Sequence, residues 1–386
     1  NVYGMNQGFL SEREQGEIDA RLFADIVDEK MAGGLVFTWQ DEWFKRTWNT
    51  MDYDDPDRRP FWSNAQTNEQ QFGLLSFDPG KGEQSVIQVD GQPDDWEKAR
   101  IAPLYEKEAA KPAGAGGVTA SIQKLYVTSD ERYVYMRLDF DTETIDWNTT
   151  NSVILLDTLP GQGQSALPFP SDMTTDAGFD FAVQLVGPER SNIVVDSYYD
   201  SFYYHYGHQL RMIPPADYAS TINNGTYHPL RLTLNKELSI PRPGGERQKV
   251  PFEYVETGRL KFGNANPQSP DYDSLADVAV GKNVVELRIP WLMLNVKDPS
   301  ARTVMGDLWK TGLGGAVRTD GFAISALTFK PGQQARIADA FPRLTGGQLA
   351  AQQMKTYTWP VWETPTYHER LKQSYYRMKE TFGSIR

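Results

Sequence analysis

Asp41 and Glu42 sit inside an aromatic stretch of the chain, residues 33–62, between Trp39 and Trp43. Paired carboxyl groups carry out glycoside hydrolysis, one as acid and the other as nucleophile or base, and the retaining reaction needs them about 5–5.5 Å apart. Side chains of adjacent residues on an extended segment diverge, so these two do not make such a pair by themselves. The stretch does offer a rim for a polar ligand. Indole rings stack on the C–H faces of sugars, and carboxylates accept hydrogen bonds from hydroxyls. A salt-bridged aromatic loop, with Lys45 and Arg46 among its charges, that clamps a neighbouring domain is the other reading.

Three further groups could do chemistry. Asp52, Asp54, Asp55 and Asp57 offer the oxygen ligands that a structural calcium takes, although the glycine and closing glutamate of an EF-hand loop are missing. Aspartate beside Pro56 is also ordinary turn chemistry. His205 and His208 have a spacing met at metal sites, yet no acidic or cysteine residue adjoins them, which suits hydrogen-bonding roles better. Around them lie Tyr198, Tyr199, Phe202, Tyr203, Tyr204 and Tyr206, which either stack on sugar rings, Tyr203 foremost, or alternate into a core. Trp147 and Trp359 flank predicted loops and complete the candidate sugar contacts, whereas Trp96 and Trp291 read as packing residues at strand ends. The chain contains no P-loop, dinucleotide fingerprint or nucleophile elbow.

The elements that would position these residues change character along the chain. Ser11 and Glu14 form a capping box, and Ile18, Leu22, Phe23, Ile26 and Val27 recur at helical spacing, which predicts a helix over residues 11–31. Gly33 and Gly34 stop it. The apolar run 35–39 then predicts a strand buried on both faces, and α/β folds place ligands just past the carboxyl end of such strands. One helix and one two-faced strand cannot cover each other. Partner strands are therefore expected from another domain or from polypeptide upstream of residue 1.

A breaker at Asp78-Pro79-Gly80-Lys81-Gly82 marks a boundary. Short strands follow at 85–89, 124–128, 133–140, 153–156, 179–185, 192–199, 284–289 and 321–329, the pattern of an antiparallel β-sandwich, interrupted by insertions at 201–224, 238–251 and 264–273. An edge strand over 357–363 and a basic, aromatic helix over 367–382 close the chain. The expected protein is mainly β, in three parts: 1–82, an α/β piece; 83–340, the sandwich; and 341–386, an edge strand and helix.

Composition excludes several classes. The formal net charge of -12 argues against nucleic acid as a partner, since phosphate binding needs clustered basic side chains. With no cysteine at all there is no disulfide, zinc–thiolate site or thiol catalysis. No apolar run reaches the roughly 18 residues that a membrane helix requires.

Two resemblances cover parts of the chain. The helix, the two glycines and the apolar run ending in Trp39 and Asp41-Glu42-Trp43 resemble the seventh helix and eighth strand of a TIM barrel, in the manner of family 2 glycoside hydrolases. That resemblance implies that Trp39 floors a sugar subsite and that the catalytic glutamates lie upstream of residue 1, with no catalytic residue in this chain. VDGQPDDW at 89–96, LYVTSDERYVYMRLDF at 125–140 and VVELRIPW at 284–291 together resemble family 9 carbohydrate-binding modules. Those are β-sandwiches that stack sugars on tryptophan and often hold structural calcium, in exported or cell-envelope proteins.

The expected function is carbohydrate binding by a sandwich attached to the end of a glycosidase-like barrel. The expected contacts are Trp39, Asp41, Glu42, Trp43, Trp147, Tyr203 and Trp359, and the expected partners are an oligo- or polysaccharide and the upstream barrel. Two alternatives stay open: the carboxyl-terminal part of a glycoside hydrolase, and a structural clamp without a sugar site.

Overall fold

A computed structural model describes residues 10–45, 47–67, 69–82, 85–107, 119–214, 222–332 and 334–385. Its centre is a pair of antiparallel sheets. The first has five strands in the order Val278–Val280, Val284–Pro290, Tyr133–Phe140, Ile122–Ser129 and Tyr105–Glu106. The second has seven. It runs from Arg336–Phe341 through Phe322–Lys330, Asn151–Asp157, Phe181–Leu185 and Asn192–Asp196 to Tyr227–Pro229, with Lys355–Tyr357 pairing the first residues of Phe322–Lys330. Alternation along each strand sends one set of side chains inward. Ile122, Met136, Leu138, Leu287 and Ile289 thereby share one core with Ile154, Leu156, Phe181, Val183 and Ile324.

Local chemistry explains the hairpin between the third and fourth strands of the first sheet. Asp130 Oδ1 accepts hydrogen bonds from the backbone N–H groups of Arg132 and Tyr133, 2.7 and 2.8 Å away, which closes the turn. On the outer face of Tyr133–Phe140, the polar-tipped Tyr135, Arg137 and Asp139 are buried as well. Residues 85–100 cross it with Trp96, and Arg137 lies 4.5 Å over the Tyr126 ring while pairing with Asp139 at 2.7 Å. On the outside of the second sheet Val153, Leu155 and Leu327 are covered by Met173, Phe179 and Leu349. Both sheets are thus roofed, which is why Asn151–Asp157 reads as an unbroken apolar run.

Four expected elements differ, the first being the edge strand, which is Lys355–Tyr357 rather than 357–363. Residues 85–89 form no strand; they are part of that roof. The run 35–39 is not a buried strand either, and Leu35 is 100% exposed. A strand needs neighbours on its edges, and among the described residues only 70–75 offers one: Leu75 N–H donates to Trp39 O, Asp41 N–H to Leu75 O, and Gln40 bridges Leu75 in parallel. The closing segment is not one helix. Tyr367–Leu371 is a strand paired antiparallel with Leu75–Pro79, and the helix runs over Gln373–Ser384.

The amino-terminal helix, Glu12–Asp28, begins at the Ser11–Glu14 capping box and packs on that carboxyl-terminal helix. Contact is close because Gly16 has no side chain: a Cβ there would stand 2.7 Å from Ser374 Cα. Ala20, Leu74 and Met378 fill the small core between. Residues 10–82 and 367–385 therefore interlock, a helix pair over a two-stranded sheet lying against the sandwich.

Candidate functional site

Four exposed aromatic residues, Phe37, Trp39, Phe44 and Trp48, lie on the loop that leaves the amino-terminal helix. Trp39 is 54% and Phe37 65% exposed, and the indole of Trp39 meets Tyr375 edge-on at 6.0 Å. Lys45 Nζ lies 5.7 Å over the Phe37 ring, 2.9 Å from Glu42 Oε2 and 3.3 Å from Glu69 Oε2. Trp43 donates its indole N–H to Pro60 O at 3.2 Å and packs on Phe77 at 4.9 Å, with Phe44 and Tyr367 against it. Trp39, Glu42 and Trp43 lie on one aromatic strip of chain, residues 37–45, with Phe37, Phe44 and Lys45; Trp39 is exposed, and Glu42 and Trp43 are half-buried.

Asp41 takes a different part. It is 4% exposed, and its Oδ1 accepts Lys372 Nζ at 2.6 Å and the Gly73 N–H at 3.0 Å. Burial pushes its pKa up, and the Lys372 ammonium holds it back only in part. Lys372 also donates to Gln71 O at 3.0 Å, so one buried ion pair pins the turn under Trp39 to the start of the carboxyl-terminal helix. Gly73 has no room for a side chain, since a Cβ would stand 2.2 Å from Asp41 N. Gly73→Ala is accordingly expected to lower stability by about 1–3 kcal/mol and to shift the tryptophan emission, measured by denaturant titration followed by fluorescence. An unchanged spectrum and midpoint would show the turn to be slack.

The remaining candidates lie elsewhere. Trp359 is 2% exposed, donates to Pro299 O at 2.8 Å and packs on Trp291 at 4.7 Å. Tyr203 is 6% exposed, seated over Gly207 and edge-on to His228 at 5.9 Å. Of its neighbours, Tyr199 is buried just before a helical segment over Ser201–Gln209, and Phe202, Tyr204 and Tyr206 are buried within it, their rings joining the main core. A short α-turn that widens into a π-turn, with Leu210 N–H donating to His205 O, replaced the expected alternation and turns these rings inward. Trp147 is half-buried against Gly187 and Phe262. Neither Trp359, Tyr203 nor Trp147 contributes to the strip.

Histidines and aspartates are committed to structure. His205 bonds Gln209 Oε1 through Nδ1 at 2.9 Å and faces Asp52 through Nε2 at 3.4 Å, while His208 packs on Trp309 at 4.7 Å. Asp54 is paired with Arg59, and Asp55 accepts the N–H of Asp57. Among the described residues, no three His, Cys, Asp or Glu side chains gather as a metal site.

A buried ionic seam had no counterpart in sequence reasoning. Arg370 donates to both Glu12 oxygens, at 3.0 and 2.8 Å, and through Nε to Asp78, whose other oxygen accepts Arg132 at 3.1 Å. Burial favours neutral carboxyls, yet the two guanidinium charges outweigh it and hold Asp78 far below the usual carboxylate range; Glu12 is lowered by Arg370 in the same way. The cavity beside this network is about 80 Å³. That admits a few waters and falls short of the roughly 300 Å³ of ligand pockets.

No family model matches the chain, and no curated protein matches it either. Among the described residues no helix is long and apolar enough to cross a membrane. Function has to be read from the geometry of the strip and of the grooves beside the seam.

Proposed function

We propose that this chain binds carbohydrate through the aromatic strip of residues 37–45, with the two-sheet body as its scaffold. The supporting observation is an indole that is open to solvent on a backbone that is not free to move. Trp39 is 54% exposed, while the residues on either side of it are bonded to 72–75 and pinned by the Asp41–Lys372 pair. A ring held in place before the ligand arrives loses little entropy on binding. On the same loop Lys45, over the Phe37 ring, and its partner Glu42 are each about a quarter exposed, and can exchange their mutual ion pair for sugar hydroxyls. Recognition is by stacking and hydrogen bonds, and no covalent bond changes.

A second reading is favoured by the exposed apolar side chains behind the strip. Leu22, Met31, Leu35 and Phe37 are all solvent-exposed, a patch of the kind that marks a contact surface. In that reading the chain is the carboxyl-terminal part of a glycoside hydrolase, the upstream barrel covers Leu35 and Phe37, and Trp39 floors a subsite whose catalytic glutamates lie upstream of residue 1. Both readings place the sugar on Trp39.

Calorimetry of the chain against neutral cello-, xylo-, manno- and chito-oligosaccharides tests the shared claim. At least one series is expected to bind, and Trp39→Ala to weaken it about tenfold or more, a loss of about 1.4 kcal/mol, at unchanged melting temperature. Silence across the panel would leave the body as a clamp without a sugar site.

A further inference from the structure

A groove of about 410 Å³ opens where Ala65, Gln66 and Gln71 and residues 255–261 and 274–277 meet the end of the strand Val284–Pro290. It leads inward to the small seam cavity, and Gln71, Tyr133, Ser274, Leu275 and Arg288 line both. On the other side of residues 256–261 a second groove of about 510 Å³ shares Glu256, Arg259 and Lys261 with the first. These volumes fall in the range that small ligands occupy, and the place, between two structural units, is a usual one for a binding site.

Arg288 sets the chemistry. Its guanidinium lies 4.8 Å over the Tyr133 ring, and its Nε and Nη2 each donate at 2.9 Å to the backbone carbonyls of Ala276 and Ser274. Arg58, Arg59, Arg132, Arg137 and Arg370 each meet a carboxylate; the hydrogen bonds of Arg288 end on carbonyls instead. Carbonyls orient a guanidinium without neutralising it, and the stacked ring fixes its plane. A positive charge therefore remains at the floor of the groove. At the rim Arg259 is largely exposed and holds Glu256 only at 3.5 Å, and Lys261 reaches Asp273 at 2.7 Å. Lys261 is thus matched by Asp273 and Arg259 by Glu256, and the cation left for an anion at the floor is Arg288, with Asp277 the carboxylate lining the groove beside it.

We propose that this groove is a second ligand site and that it takes a carboxylate-bearing saccharide, its carboxylate on Arg288 and its hydroxyls on Gln66, Gln71 and Ser274. The carboxylate follows from the arginine, since a guanidinium recognises that group by shape as well as by charge. The choice of a sugar to carry it rests on the carbohydrate reading above.

The test compares trigalacturonate with neutral galactotriose on the full chain by calorimetry, at low and high salt. Trigalacturonate is expected to bind at least tenfold more tightly, with an affinity that falls as salt rises. Arg288→Gln is expected to remove that preference, and Arg259→Glu with Lys261→Glu, a rim pair whose replacement leaves the packing intact, to weaken it severalfold. Trp39→Ala should leave it unchanged. Equal affinity for the two trisaccharides, or a preference that survives both the floor and the rim substitutions, overturns the proposal. Binding of neutral sugars lost with Trp39→Ala, without any uronate preference, would sink this groove alone; a uronate preference with no neutral binding would sink the strip alone.

Discussion

Arg370→Met is expected to lower the stability of the chain by about 3–5 kcal/mol. Among the described residues Arg370 is the group that donates to both Glu12 and Asp78, tying the first helix and the strand Leu75–Pro79 to the strand Tyr367–Leu371. All three side chains are well shielded, with Arg370 at 16%, Glu12 at 10% and Asp78 at 8% exposure, so solvent screens the network weakly. Methionine keeps the bulk of the aliphatic stem but strands two carboxylates in a poorly solvated place. Asp78 retains Arg132 at 3.1 Å; Glu12 keeps only the neutral donors Tyr272 and the Gln373 N–H. Thermal and urea denaturation check the size. Limited proteolysis checks the mechanism, because the clasp of residues 10–82 and 367–385 should open before the sandwich does. A loss under about 1 kcal/mol would mean that the seam behaves as an exposed ion pair.

A stability maximum in weak acid is the second expectation. Glu286 is fully buried on the strand Val284–Pro290; its Oε2 accepts the N–H groups of Gly91 and Asp90 at 2.8 and 3.2 Å, and its Oε1 has no partner. Burial, reinforced by the charge of Asp95, raises its pKa from the ordinary 4.5 to about 8. Burial likewise raises Asp95, Asp130 and Asp277 to about 6. These groups keep protons in the folded chain that the unfolded chain releases, so the folded state binds more protons and the free energy of unfolding falls as pH rises. Their contribution is whole below an unfolded pKa near 4.5 and is lost progressively up to about pH 8. Glu12 and Asp78 work the other way: their pKa values are lowered, so their contribution is present above the ordinary carboxylate range and lost as pH falls through it. The melting temperature should therefore peak near about pH 5 and decline towards about pH 9. Glu286→Gln keeps an acceptor for the Gly91 N–H and removes the titration. It is expected to flatten the alkaline decline, with a gain on the order of 3 kcal/mol over the parent above about pH 8. A parent curve already flat across that interval would show Glu286 to be ionised and paired.

Much of the β body was legible in residue order. The alternation in Tyr133–Phe140, the Asp130 turn and the apolar run of Asn151–Asp157 are short-range signals, and the strands fall within a few residues of where those signals place them. The capping box at Ser11 and Glu14 marked the first helix for the same reason: both partners lie within one turn. The candidate site was legible only in part. Trp39 is exposed and Glu42 and Trp43 are half-buried on the same loop, whereas Asp41 is an anchor and Tyr203 and Trp359 are core. Residue type announces that a ring is large and apolar. Whether it faces water depends on the period of its segment and on what is folded over it.

By itself, then, the sequence determined the class of the protein and its local punctuation: a mainly β chain with no thiol chemistry, a capped first helix, and hairpins closed by their own side chains. Tertiary structure alone decided the rest. The clasp joins Glu12 to Arg370 and Asp41 to Lys372 across more than three hundred residues, and such pairs leave no periodic trace because their spacing along the chain is arbitrary. It also decided that the run at residues 35–39, apolar enough for a central strand, stands open with Leu35 in water, since a strand is made by its neighbours as much as by its own side chains.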